Sequence, residues 1–190
     1  MPVHPKRAAA GGVAGIAMVF TLLVGGCVGP AELVPTPTAT AAAPVFASDE
    51  EALAAAEEAY SAYLAMSDLI AQEGGRDPER IAPFVTEEQL EVELEGFQAL
   101  GAAGVRLEGS AKVGGLDLQI AEVVGTTQKV AAYVCIDYSQ TSYVRGDGSM
   151  VDSLREFESV LVFSTFESSE RSSPLIVSSV EPWTQTEPCL

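Results

Sequence analysis

The chain has 190 residues, of which 27 are acidic and 10 basic, and its formal net charge at pH 7 is −17. A surface this acidic repels phosphate backbones and anionic lipid headgroups, so the composition argues against nucleic acid as a partner. His4 is the only histidine, and beyond Cys27 the chain has two cysteines and no histidine. These are too few ligands for a zinc site, and we expect no metal and no cofactor.

The first part of the chain has the layout of an export signal. Lys6 and Arg7 form a short positive segment, and an apolar run follows at residues 13–24. That run has the length of a signal-peptide core and is short for a transmembrane helix. We therefore predict a signal peptide at residues 1–26. Its removal takes away two basic residues and leaves a net charge of −19.

The signal ends in two small residues and a thiol, Gly25-Gly26-Cys27. Together with Leu23 and Val24, this stretch resembles the lipobox of bacterial lipoproteins, in which the cysteine is acylated and becomes the first residue after cleavage. Because two or three acyl chains hold a protein stably on a bilayer, we expect lipid on Cys27 to anchor this chain at the outer face of the cell membrane. The alternative is an uncleaved membrane anchor in which the cysteine has no role.

The export signal is followed by a linker and then by the rest of the chain. Residues 27–47 are rich in Pro, Ala and Thr, a composition that cannot form a core and stays extended. We interpret them as a tether that begins at the lipidated cysteine. Residues 48–190 have the size of one domain with a proper core.

The two remaining cysteines, Cys135 and Cys189, are an even pair, which suits an oxidising compartment. We predict a disulfide between them, and the alternative is two unpaired buried thiols.

Helix start signals occur early in the domain. Ser48 with Glu51 three residues later fits a capping box, apolar residues follow at helical spacing, and Gly74-Gly75 predicts the end of the helix. A short second helical segment is expected at residues 77–82. A second capping-box pattern at residues 86–89 begins a third helix, which should end at Gly101 or Gly104.

After Gly104 the hydrophobic period changes from helical to two. Strands are predicted at residues 105–113, 116–124, 128–145, 154–166 and 175–183, with turns at Gly114-Gly115 and at residues 146–148. Three N-terminal helices followed by about five antiparallel strands predict an α+β domain, with the helices packed on one face of a curved antiparallel sheet.

Three short stretches carry a resemblance to a known family: residues 84–88 at a helix start, residues 133–137 in a strand, and Glu181-Pro182-Trp183 with Pro188-Cys189 near the end. The chain resembles actinobacterial lipoproteins with a domain of the nuclear transport factor two-like superfamily, which includes polyketide cyclases and relatives of ketosteroid isomerase. The resemblance implies a cone-shaped α+β fold and a disulfide, and it implies no particular activity.

The resemblance also implies a pocket between the long helix and the concave side of the sheet. Tyr60, Tyr63 and Trp183 are the residues we expect near it, although aromatic residues at helical spacing more commonly belong to a core. Enzymes of the superfamily use a His, Asp or Tyr in this pocket, and the only histidine here precedes the predicted cleavage site. A Tyr/Asp pair stays open, but no pattern marks an aspartate as inward among the candidates Asp117, Asp137 and Asp152.

We therefore predict no catalytic residue. The expected function is a non-enzymatic, membrane-anchored lipoprotein that binds an envelope protein or a small apolar ligand, as a monomer or a dimer. The alternative is a small isomerase- or cyclase-like enzyme that uses a Tyr/Asp pocket in the same fold.

Overall fold

The computed structural model describes residues 46–151, 158–168, 170, 173–183 and 189. The predicted signal peptide, Cys27 and nearly all of the tether lie outside these residues. The helices are α1 (Asp49–Gln72), a 3₁₀ helix η1 (Pro78–Phe84) and α2 (Glu87–Ala102). The strands are β1 (Val105–Glu108), β2 (Lys112–Val124), β3 (Thr127–Asp137), β4 (Ser142–Arg145), β5 (Ser159–Ser168) and β6 (Ile176–Pro182). The α+β class predicted from the sequence is confirmed.

The predicted signals mark both ends of α1. Ser48 is the N-cap, and its hydroxyl accepts a hydrogen bond of 3.3 Å from the backbone N–H of Glu51. At the other end Gly75 adopts a φ of +76°, and its N–H donates to the carbonyl of Ile70 at 2.9 Å. A Cβ at residue 75 would collide with the carbonyl of Phe97 in α2, so this glycine also lets the two helices approach each other.

The strands form two antiparallel sheets rather than one of about five strands. Four strands pair in the order β2-β3-β5-β6, and β1 pairs separately with β4. The predicted strand 105–113 is interrupted because Gly109 adopts a φ of +82° and lies against the carbonyl of Gln140. The predicted run 128–145 is interrupted by a turn in which the N–H of Thr141 donates to the carbonyl of Tyr138 at 2.9 Å.

Gly114-Gly115 is not a turn, and this prediction was wrong. The pair lies inside β2, where the pairing with β3 shifts by one residue between Val113 and Gly115. Neither glycine has the positive φ that tight hairpin turns of this kind require, whereas Gly125, at the real hairpin between β2 and β3, has a φ of +67°. A second shift of register follows between Leu118 and Ile120.

The core lies between α1 and one face of the four-stranded sheet, which we call the inner face. Alternate residues of β3 and β5 point to it: Val130, Ala132, Val134 and Ile136 from β3, and Val162, Ser164 and Phe166 from β5. Helix α1 contributes Ala52, Ala56, Tyr60, Tyr63, Leu64 and Ile70. The outer face carries the intervening residues, among them Tyr133, Cys135 and Phe163.

The predicted pairing of the two cysteines is present. The Sγ atoms of Cys135 and Cys189 lie 2.03 Å apart, a disulfide that joins the central strand β3 to the last part of the chain. None of the described helices combines the length and the apolar character that a membrane span requires.

Candidate functional site

The three aromatic residues predicted to line one pocket lie on two sides of the sheet. Tyr60 and Tyr63 belong to the core, with 1% and 7% of their surface exposed, and their ring centroids are 5.4 Å apart in an edge-to-face contact. Trp183 is 39% exposed and packs on Tyr133 of the outer face at 4.8 Å. The structure therefore brings the two tyrosines together and places Trp183 elsewhere.

The hydroxyl of Tyr63 is part of a polar cluster between α1 and α2. It donates to Oε1 of Glu93 at 2.7 Å, and Nε2 of Gln89 donates to the same oxygen at 2.8 Å. Gln89 is buried although it is polar. One carboxylate oxygen therefore accepts two hydrogen bonds in a partly buried setting, an arrangement that fixes α2 against α1.

The sequence prediction missed Glu93. The helical period of α2 contains the signal for this residue. Glu93 follows Leu90 by three residues and precedes Phe97 by four, so it belongs to the face of α2 that turns inward.

The tyrosines of this region are held in the protonated form. Burial, and then the nearby charge of Glu93, raises the pKa of Tyr63 well above its usual value, and burial raises the pKa of Tyr138 to about 12. Burial also raises the pKa of Tyr60. At neutral pH all three hydroxyls keep their protons, and that of Tyr63 donates to Glu93.

Asp68 is the inward aspartate of the described domain. It is 7% exposed, and its Oδ2 accepts a hydrogen bond of 2.8 Å from the backbone N–H of Ala111. Burial raises the pKa of this carboxyl, and the bond from Ala111 opposes the rise. Its charge in turn helps to raise the pKa of Tyr143.

The aspartates considered from the sequence lie elsewhere. Asp117 is exposed on β2, and Asp137 ends β3, where its side chain accepts from the N–H of Ser139 at 2.8 Å and its pKa is lowered. Asp152 lies outside the described residues. Within the described ranges, no cluster of three or more His, Cys, Asp or Glu side chains is placed to hold a metal ion.

Two open grooves flank α1. The β6-side groove has a volume of about 540 Å³, and its lining includes Glu51, Glu58, Ala62, Phe84, Pro174 and Leu175. The β2-side groove has a volume of about 620 Å³, and its lining includes Glu57, Ala65, Asp68, Leu69, Gln72 and Lys112. Neither of these two grooves in the described domain is lined by Tyr60, Tyr63 or Trp183.

Comparison with known proteins gives little to add to this geometry. No family model matches the chain, and no curated protein matches it. Among solved structures, the intermembrane space region of the chloroplast protein ARC6 has a TM-score of 0.47 and 13% sequence identity, over 69% of this chain and 97% of that chain. Values this low carry no argument about function.

Proposed function

We propose that this chain is an extracytoplasmic lipoprotein, anchored through lipid on Cys27 to the outer face of the cell membrane, whose domain at residues 48–190 binds a partner without catalysing a reaction. The observation that carries the proposal is the bond between Cys135 and Cys189. Disulfides form and persist in oxidising compartments and are rare in the cytosol. This bond involves no residue of the export signal, so it supports export independently of the lipobox.

The arrangement of polar and open regions supports a binding role. Tyr63 and Glu93 are hydrogen-bonded to each other, so neither group is directed at a ligand. The two grooves beside α1, in contrast, are open and have the volume of ligand sites. A long helix packed on an antiparallel sheet is also compatible with the cone-shaped fold of the nuclear transport factor two-like superfamily, which we include in the proposal.

Intact mass of the protein extracted from membranes tests the location. We expect a chain that begins at Cys27, carries the mass of its acyl groups and shows the deficit of one disulfide. A Cys27→Ser variant should keep the disulfide and lose the acyl mass, and a Cys135→Ser/Cys189→Ser variant should do the reverse. A native chain that begins at Met1, or one without acyl mass, would contradict the proposal.

A small isomerase- or cyclase-like enzyme is the second candidate, and Asp68 is the observation that favours it. This buried carboxylate lies in the wall of the β2-side groove, and a carboxylate with a raised pKa is suited to general-base catalysis. Cyclic ketones in deuterated water test the idea by NMR. An enzyme should speed hydrogen exchange next to the carbonyl, an Asp68→Asn variant should lose this effect, and an Asp137→Asn variant should keep it.

A further inference from the structure

Apolar residues from three parts of the chain line the β6-side groove. Phe46 precedes α1, Pro83 and Phe84 end the 3₁₀ helix, and Pro174 and Leu175 precede β6. Of these residues, Leu175 is buried. The side formed by α1 consists largely of small residues, which leave room for a polypeptide backbone to lie close to the helix.

The described charged residues that line this groove are acidic. Glu51 and Glu58 line it, and no basic side chain does so among the described residues. The carboxylate of Glu51 accepts a hydrogen bond of 2.5 Å from the N–H of Ala47, whereas Glu58 is exposed on the next turns of α1 and takes part in none of the ion pairs described in the domain. A basic group placed here would meet complementary charge in a groove that Phe46 and Phe84 also line.

Apolar walls with prolines and phenylalanines, combined with acidic residues, are suited to an extended peptide. Proline-rich segments keep an extended conformation before binding, so they dock aromatic-lined grooves at a low cost in conformational entropy. The groove is open, which lets a chain pass through it. We propose that the β6-side groove binds an extended segment of a partner protein that carries proline or aliphatic side chains together with Lys or Arg.

This inference rests on the proposed binding role of the domain, and neighbouring residues of α1 provide matched controls. Glu57 and Glu58 are both exposed, but Glu57 lines the β2-side groove. Ala62 and Ala65 are likewise both exposed, and Ala65 lines the β2-side groove. Each substitution in the β6-side groove therefore has a counterpart with the same chemical change on the same helix.

The test uses the full chain purified in neutral detergent and a fluorescent peptide of alternating proline and leucine with an arginine near each end. Fluorescence anisotropy should show saturable binding. Glu58→Lys should weaken it by about three- to tenfold, since an attraction is replaced by a repulsion, and Glu58→Gln by less, whereas Glu57→Lys should leave it within about twofold. Ala62→Trp should abolish binding by filling the groove, and Ala65→Trp should not.

Several outcomes would overturn the inference. Absence of binding to the wild-type protein excludes this class of peptide, and equal binding of a peptide with glutamine in place of arginine removes the role of charge. Equal effects of Glu57→Lys and Glu58→Lys, or of the two tryptophan substitutions, place the site elsewhere. Acylation of Cys27 is measured separately by mass, so a lipidated protein that does not bind the peptide contradicts only this inference.

Discussion

Tyr63 shows how the domain accommodates a polar group in its core. Its hydroxyl lies 2.7 Å from Oε1 of Glu93, and the surrounding packing excludes water from most of the ring. Tyr63→Phe should lower the free energy of unfolding by about 1–2 kcal/mol, because a hydrogen bond to a charged acceptor is lost. Urea denaturation measures the change. Tyr133→Phe is the control, since Tyr133 packs through its ring on the outer face, and it should change stability by less than about 0.5 kcal/mol.

Asp68 makes the stability of the domain depend on pH. Burial raises its pKa in the folded state, so the folded protein holds this proton more tightly than the unfolded chain does. Stability is therefore lost as pH rises from the unfolded pKa, about 4, through the folded one, and the loss persists at higher pH.

Asp68→Asn should remove this dependence while keeping an oxygen that accepts from the N–H of Ala111. The difference in unfolding free energy between the variant and the wild type should move in favour of the variant as pH rises from about 4 to about 7. Urea denaturation across this range provides the measurement. A difference that does not change with pH would show that burial does not perturb this carboxyl.

At the scale of the elements, the end of α1 depends on a glycine that has no substitute. Gly75 has a φ of +76°, and a Cβ there would collide with the carbonyl of Phe97. Gly148 has a similar φ of +83°, but a Cβ there would meet open space. Gly75→Ala should therefore lower the unfolding free energy by more than about 3 kcal/mol, and Gly148→Ala by about 1 kcal/mol. If Gly75→Ala and Gly148→Ala lowered the unfolding free energy equally in urea titrations, the contact between Gly75 and Phe97 would not explain the loss.

The helices were predictable because their signals are local. Ser48 and Thr86 each cap the helix that follows, and Gly74-Gly75 ends α1. The ends of these helices are therefore determined by residues close to them in sequence. The turn after β3 is also stabilised locally, because the side chain of Asp137 accepts a hydrogen bond from the N–H of Ser139. The apolar residues on both sides of this turn nevertheless led to the prediction of one continuous strand.

Other features depend on partners that are distant in sequence. Gly114-Gly115 has the composition of a turn, and only its pairing with β3 makes it a bulge. Trp183 reaches the outer face because the pairing of β5 with β6 shifts between Thr165 and Phe166. The inward position of Asp68 likewise depends on where the backbone of Ala111 lies, so the aspartate of the candidate site was missed.

At the scale of the whole molecule, the disulfide connects residues separated by 54 positions along the chain. Replacing Cys135 and Cys189 together by Ala should lower the unfolding free energy by on the order of 4 kcal/mol, because the unfolded chain regains the freedom that the closed loop removes. Urea denaturation with and without a reductant measures it, and Cys27→Ala should retain the full response to the reductant. A wild-type unfolding midpoint that is unchanged by complete reduction would contradict the prediction.

The interrupted pairing of β2 affects how readily copies of this domain could aggregate through the edge of the sheet. This strand of 13 residues lies at one edge of its sheet, and among the described strands it pairs only with β3. A long, regular edge is a template on which further copies can add and aggregate. Two shifts in register and the exposed charges of Asp117 and Glu122 disfavour such growth, so copies of this domain should stay separate even at high concentration.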